Sequence, residues 1–140
     1  MEMIVRDQIE IKASKEKVWR VLTETKFYKQ WDDLPEDFSE DRLKLGSVID
    51  WGEYSKITVR TFKPTEHLDM KLYLPKVDLS ENDYDVSYSF SLTSKNDHTI
   101  LSIEIGDFSP LPNANDYYEA SVEFAETAKQ KIKELSENLT

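Results

Sequence analysis

Over residues 84–93 apolar and polar side chains alternate without a miss: Tyr84, Val86, Tyr88, Phe90 and Leu92 interleave with Asp85, Ser87, Ser89, Ser91 and Thr93. A period of two puts each set on its own side of a strand, so one face of the sheet is buried and the other wet. The same alternation turns Leu68, Met70, Leu72 and Leu74 inward against Asp69, Lys71 and Tyr73. It also turns Leu101, Ile103 and Ile105 inward against Ser102, Glu104 and Gly106. One-faced burial belongs to antiparallel sheets. Turn chemistry at Lys95-Asn96-Asp97, Gly46-Ser47 and Pro64-Thr65-Glu66 breaks residues 37–108 into the strands of a meander.

An apolar sheet face has to be covered. The segment long enough to do so is residues 116–139, which hold no Gly or Pro and repeat Tyr118, Val122, Ala125, Ala128, Ile132, Leu135 and Leu139 at spacings of three and four. This predicts an amphipathic helix of roughly 36 Å, at ~1.5 Å per residue. Asp116 with Glu119 resembles a capping box, and Lys129, Lys131 and Lys133 lie in the C-terminal half, where positive charge is favoured. Ahead of the meander, residues 3–11 read as a first strand with Val5, Ile9 and Ile11 on one side and Arg6, Gln8 and Glu10 on the other, Asp7 interrupting the apolar face. Ser14 offers a cap to a short helix carrying Val18, Trp19, Val21 and Leu22. Thr25 offers one to a second, through Phe27, Tyr28 and Trp31, which Asp32, Asp33 and Pro35 stop. Residues 109–115, with two prolines, divide sheet from final helix and suit either a lid or a rigid connector. The expected fold is α+β, one domain over residues 1–140: a curved antiparallel sheet gripping a long C-terminal helix, with two short helices after strand one.

Twenty-eight acidic against eighteen basic residues give a net charge of −10, which repels phosphate backbones and anionic headgroups; nucleic acid is not an expected partner. The chain meets charge within two residues of its start and has no apolar run of signal or membrane-spanning length, so it reads as a mature start without membrane insertion. Absence of cysteine removes disulfides, thiolate catalysis and thiolate metal sites, and suits a reducing compartment; the expected location is cytoplasmic.

A strongly curved sheet around one helix leaves a gap wherever loops and small helices do not fill it, and Ala120, Ala125 and Ala128 are small. The expected lining is Trp31, Trp51, Met70, Tyr88, Phe90, Phe124 and Ala128, apolar bulk with a few hydroxyl tips, suited to a small hydrophobic molecule. The same aromatics also suit plain core packing. No metal, cofactor or catalytic residue is expected. His67 and His98 lack spacing partners for zinc. In a strand Glu66 and His67 point to opposite faces, and His67 shares its face with Asp69, predicted solvent-facing. The Asp32-Asp33 pair reads as a helix end rather than two carboxyls sharing a proton. Neither a glycine-rich phosphate loop nor a nucleophile elbow occurs.

The order of parts resembles the helix-grip arrangement of the START/Bet v 1-like (SRPBCC) superfamily. Ile9-Glu10-Ile11-Lys12-Ala13-Ser14-Lys15-Glu16-Lys17-Val18-Trp19 is similar to its strand-to-helix entry, and Phe27-Tyr28-Lys29-Gln30-Trp31 to the stretch that follows. Lys44-Leu45-Gly46-Ser47 and Phe62-Lys63-Pro64-Thr65-Glu66-His67-Leu68 resemble the glycine and proline turns of the branch related to the Hsp90-ATPase-activator homology domain. The proline-rich loop and the longer, acidic last helix depart from that branch. The resemblance implies the fold. It leaves three functions open: non-catalytic binding of a small apolar molecule, binding of a protein partner such as a chaperone through the acidic surface, and a cyclase or hydrolase using Tyr88 and Tyr117 as proton donors.

Overall fold

The structure is a computed structural model that describes residues 2–139. Its elements run β1 (Val5–Ile11), α1 (Lys15–Thr23), α2 (Thr25–Trp31), β2 (Val48–Asp50), β3 (Lys56–Lys63), β4 (His67–Tyr73), β5 (Val86–Lys95), β6 (His98–Gly106) and α3 (Ala114–Glu137). The strands form one six-stranded antiparallel sheet in the order β1-β6-β5-β4-β3-β2, an open meander from β2 to β6 with β1 added beside β6. This is the α+β arrangement that the periodicities imply, with the long helix following the sheet.

Alternation sorts the side chains as expected over β4, β5 and β6: Leu68, Met70, Val86, Phe90, Leu101, Ile103 and Ile105 are buried. A two-residue turn at Asn96 and Asp97 joins β5 to β6, and the turn at Pro64 and Thr65 joins β3 to β4. In β3 the alternation breaks. Val59 pairs with Met70 and Thr61 with Asp69, so Arg60 is the extra residue of a bulge. The bulge lets Val59 and Phe62, three apart, both face the core, where the Phe62 and Trp19 rings make a T-shaped contact with centroids 5.2 Å apart. Asp69 was predicted to face solvent; it lies on the outer face yet is only 5% exposed. The bulged Arg60 donates to one of its oxygens at 2.6 Å and Ser89 to the other at 2.8 Å.

The Ser14 hydroxyl caps α1 by accepting from Lys17 N–H. Thr25 does not cap α2. Glu24 ends α1 and opens α2 at once, leaving no separate cap residue, and the Thr25 hydroxyl instead donates to the Glu40 carbonyl. Nor do Asp116 and Glu119 cap α3: the helix starts two residues earlier, at Ala114, after Asn113 in a left-handed conformation (φ 59°) that makes no side-chain cap. The buried stripe of α3 is Ser121, Ala125, Ala128, Ile132 and Ser136, whereas Val122 is 43% exposed. Asp7, the interruption in β1, receives Lys129 of α3 at 2.8 Å.

The helix does not cross the sheet evenly. It lies close to β1 and β6 and against α1 and α2, and among the described residues its backbone makes no close approach to β3, β4 or β5. Small side chains at Ser121, Ala125 and Ala128 bring it near its neighbours on one side, and the other half of the sheet is left with a gap to fill.

Candidate functional site

That gap is a cavity of about 550 Å³, within the range of small-molecule sites. The sheet supplies its floor: Ile57 from β3, Met70 and Leu72 from β4, Tyr88 and Phe90 from β5. Tyr117, Ala120, Ser121 and Phe124 from the N-terminal half of α3 form the roof. Tyr28 and Asp32 close the end at α2, Phe108 stands behind, and Trp51, Tyr54 and Ser55 of the β2–β3 connection line the rim with Asp33. Tyr54, 70% exposed, marks the mouth.

Each wall has a local cause. Period two sends Tyr88 and Phe90 to the same face, and antiparallel register sets them beside Met70 and Leu68. Tyr88 and Phe124 meet edge to face at 5.8 Å, and Phe108 lies parallel to Tyr117 at 6.2 Å, so sheet and helix are joined here through rings rather than through close backbones. At the far end, Tyr28 and Asp32 are one helical turn apart and lie on one face of α2.

Five of the seven side chains predicted to line a cavity do so: Trp51, Met70, Tyr88, Phe90 and Phe124. Trp31 and Ala128 do not. The Trp31 indole N–H donates to the Val21 carbonyl at 2.9 Å, and the buried ring packs against Phe90 in a T-shaped contact with centroids 5.6 Å apart. Ala128 is fully buried one turn beyond Phe124, where α3 already runs close to its neighbours.

Sequence reasoning missed the polar end. Asp32 does end α2, but its carboxyl also lines the cavity, accepting from the Tyr28 hydroxyl at 3.1 Å and from Asp33 N–H at 2.9 Å. Burial raises its pKa to about 6, against the lowering effect of the Asp33 and Tyr28 hydrogen bonds. Burial likewise pushes the Tyr88 hydroxyl to about 12, and the nearby Asp32 carboxylate adds to it. Tyr28 is pushed upward by the same two effects. The Tyr88 hydroxyl has no hydrogen-bond partner among the described residues. The sequence did hold one signal: Tyr28 and Asp32 sit four apart on a helix, with Trp31 on the same face.

Among the described residues no Lys, Arg or His lines the cavity, no group of His, Asp and Glu is placed to hold a metal ion, and no helix is long and apolar enough to cross a membrane. The arrangement can enclose an apolar body and offer one carboxyl and two phenolic hydroxyls to its polar end.

No family model matches the sequence, and no curated protein matches it. Solved structures do. Protein MLL2253 of Mesorhizobium loti superposes with a TM-score of 0.76 over 98% of each chain at 21% identity. The Aha1 dimer of Colwellia psychrerythraea gives 0.73 over 96% of each chain at 20% identity. Protein CV1439 of Chromobacterium violaceum gives 0.70 at 15% identity, over 97% of this chain and 98% of that one. Identities this low carry the fold and nothing more. With its six-stranded antiparallel sheet and its long helix after the last strand, the chain has the helix-grip fold of the START/Bet v 1-like (SRPBCC) superfamily.

Proposed function

We propose that the protein binds a small, largely apolar molecule in the cavity between β3–β5 and the N-terminal half of α3. The observation that carries this reading is the separation of α3 from half of the sheet it follows, leaving about 550 Å³ walled mainly by aromatic and aliphatic side chains. Aromatics that merely filled a core would close such a space, since interiors pack to crystal-like density. The Asp32 carboxyl gives a second line of support: a buried acid held well above its usual pKa costs stability and is characteristic of sites selected for function.

The test is thermal unfolding of delipidated protein against a panel of uncharged apolar compounds, sterols, flavonoids and polyketide-like aromatics. Ligand at ~100 times its Kd stabilises by about 2.7 kcal/mol, a rise of several degrees for a domain of this size. A saturable rise with one chemical class supports the reading. A flat response across the panel, with the fold intact, overturns it.

A protein-binding function is the second reading, favoured by the likeness to the Aha1 dimer and by the net charge of −10, which suits a basic partner. Its test is a low-salt pull-down with purified chaperone, where absence of a salt-sensitive complex counts against it.

A further inference from the structure

The walls of the cavity restrict the charge of what it can hold. Its charged side chains are the carboxyls Asp32 and Asp33, with no cation among the described lining residues to answer an anion. An apolar acid entering this space would bring its carboxylate near the part-buried Asp32 and the rim carboxyl of Asp33 and find no basic partner, in a setting where like charges are screened less than in bulk water. A cation would meet the opposite. The Asp32 carboxyl stands at the α2 end of the cavity beside the Tyr28 and Tyr88 phenols, and Trp51, Phe90 and Phe124 line the remaining volume. Aromatic faces attract ammonium groups, more strongly where water is excluded.

We propose that the cavity selects apolar molecules that carry a protonated amine, anchored by the Asp32 carboxylate with the apolar remainder against the aromatic walls, and that it rejects apolar carboxylates. This rests on the reading of the cavity as a ligand site and adds the chemical class of the ligand. The polar end is built in proportion to that task. Asp32 Oδ1 is held by Asp33 N–H and Oδ2 by the Tyr28 hydroxyl, which fix the carboxyl's orientation while leaving it acceptor capacity. The Tyr88 hydroxyl, without a partner among the described residues, can accept a second ammonium hydrogen. Burial keeps Asp32 partly neutral in the empty cavity near pH 6; an ammonium beside it favours the ionised form, so amine binding and Asp32 ionisation are linked. The titratable groups facing Asp32 are Tyr28 on its own helix, Asp33 beside it, Tyr88 from β5 and, across the cavity, Tyr54 and Tyr117.

The test is calorimetric titration of the intact chain with three probes of one shape: phenylbutylamine, phenylbutanol and phenylbutyrate, against wild type and Asp32→Asn, at pH 5 and pH 8. Asparagine keeps the acceptor for Asp33 N–H and removes the charge, and circular dichroism confirms that the variant folds. The expected result is an amine bound at least about tenfold more tightly than the alcohol at pH 8, a carboxylate weaker than both, and a preference that shrinks at pH 5 and vanishes in Asp32→Asn. An amine no tighter than the alcohol, or a carboxylate tighter than either, overturns the charge selection and leaves the apolar cavity standing. A preference that persists in Asp32→Asn belongs to Asp33 or to the net negative charge of the molecule and overturns the role given to Asp32. No binding by any of the three overturns the cavity reading and this inference together.

Discussion

Replacing Asp32 by Asn should make the protein more stable at neutral pH. The carboxyl ordinarily ionises near 3.8, and burial at the end of the cavity raises that to about 6. At about 1.4 kcal/mol per pH unit, ionising Asp32 in the folded chain costs up to about 3 kcal/mol more than ionising it in the unfolded one. The direction follows from proton counts. Below pH 3.8 both states hold the proton and nothing is lost. Between 3.8 and 6 the folded state holds more protons than the unfolded one, so stability falls as pH rises, and above 6 the loss is complete. Asparagine titrates nowhere in this range; its Oδ1 still accepts from Asp33 N–H, and its Nδ2, in place of the carboxyl oxygen that accepts from Tyr28, donates to the Tyr28 hydroxyl oxygen instead. Urea denaturation of both proteins from pH 3.5 to pH 8 should therefore give matching free energies at the acid end and a variant about 1–3 kcal/mol more stable at pH 8. A variant of equal or lower stability at pH 8, or a difference that does not change with pH, would refute the placement of Asp32 as a part-buried acid held above its usual pKa.

Three further substitutions test other parts of the fold by the same denaturation assay. Thr65 holds φ 64° in the β3–β4 turn, a conformation costly for a β-branched residue, so Thr65→Gly should stabilise by about 1 kcal/mol. The Ser136 hydroxyl is buried on α3 without a hydrogen-bond partner among the described residues, and Ser136→Ala should gain roughly 1 kcal/mol from helix propensity and the removed polar group. Arg60→Met leaves the Asp69 carboxylate nearly buried with neutral serine hydroxyls but no charge to answer it and should cost about 2–3 kcal/mol. Adding Asp69→Asn to that variant should recover most of the loss.

How far the structure could be read from residues alone depended on whether a period or a single contact decided the answer. In β4 and β5 a period of two decides it, and Met70, Tyr88 and Phe90 face the core as the alternation requires. A bulge defeats the same reasoning, because one added residue at Arg60 reverses every later position in β3, and what fixes it is the partner Asp69 on the next strand. On α3 the apolar repeat finds the centre of the inner face, Ala125, Ala128 and Ile132, and misses its two ends. Ser121 and Ser136 lie on that face and carry no hydrophobic signal, while Val122, which does, looks outward. Trp31 was drawn toward the cavity by its bulk, but its N–H needs an acceptor and finds one at Val21 in the core. Asp32 looked like punctuation at a helix end. Its second role depends on which strands stand opposite, and Met70 and Tyr88 are 38 and 56 residues further along the chain.

The central claim is that an apolar molecule occupies the space between β3–β5 and the N-terminal half of α3. Methyl NMR locates such an occupant directly, because Ile57, Leu72 and Met70 line the cavity while Ile132 and Leu135 lie on the far half of α3. Titrating methyl-labelled protein with phenylbutanol should shift the Ile57, Leu72 and Met70 resonances saturably and leave those of Ile132 and Leu135 in place. Saturable shifts centred on Ile132 and Leu135, or no saturable shift at any cavity methyl, would contradict the account.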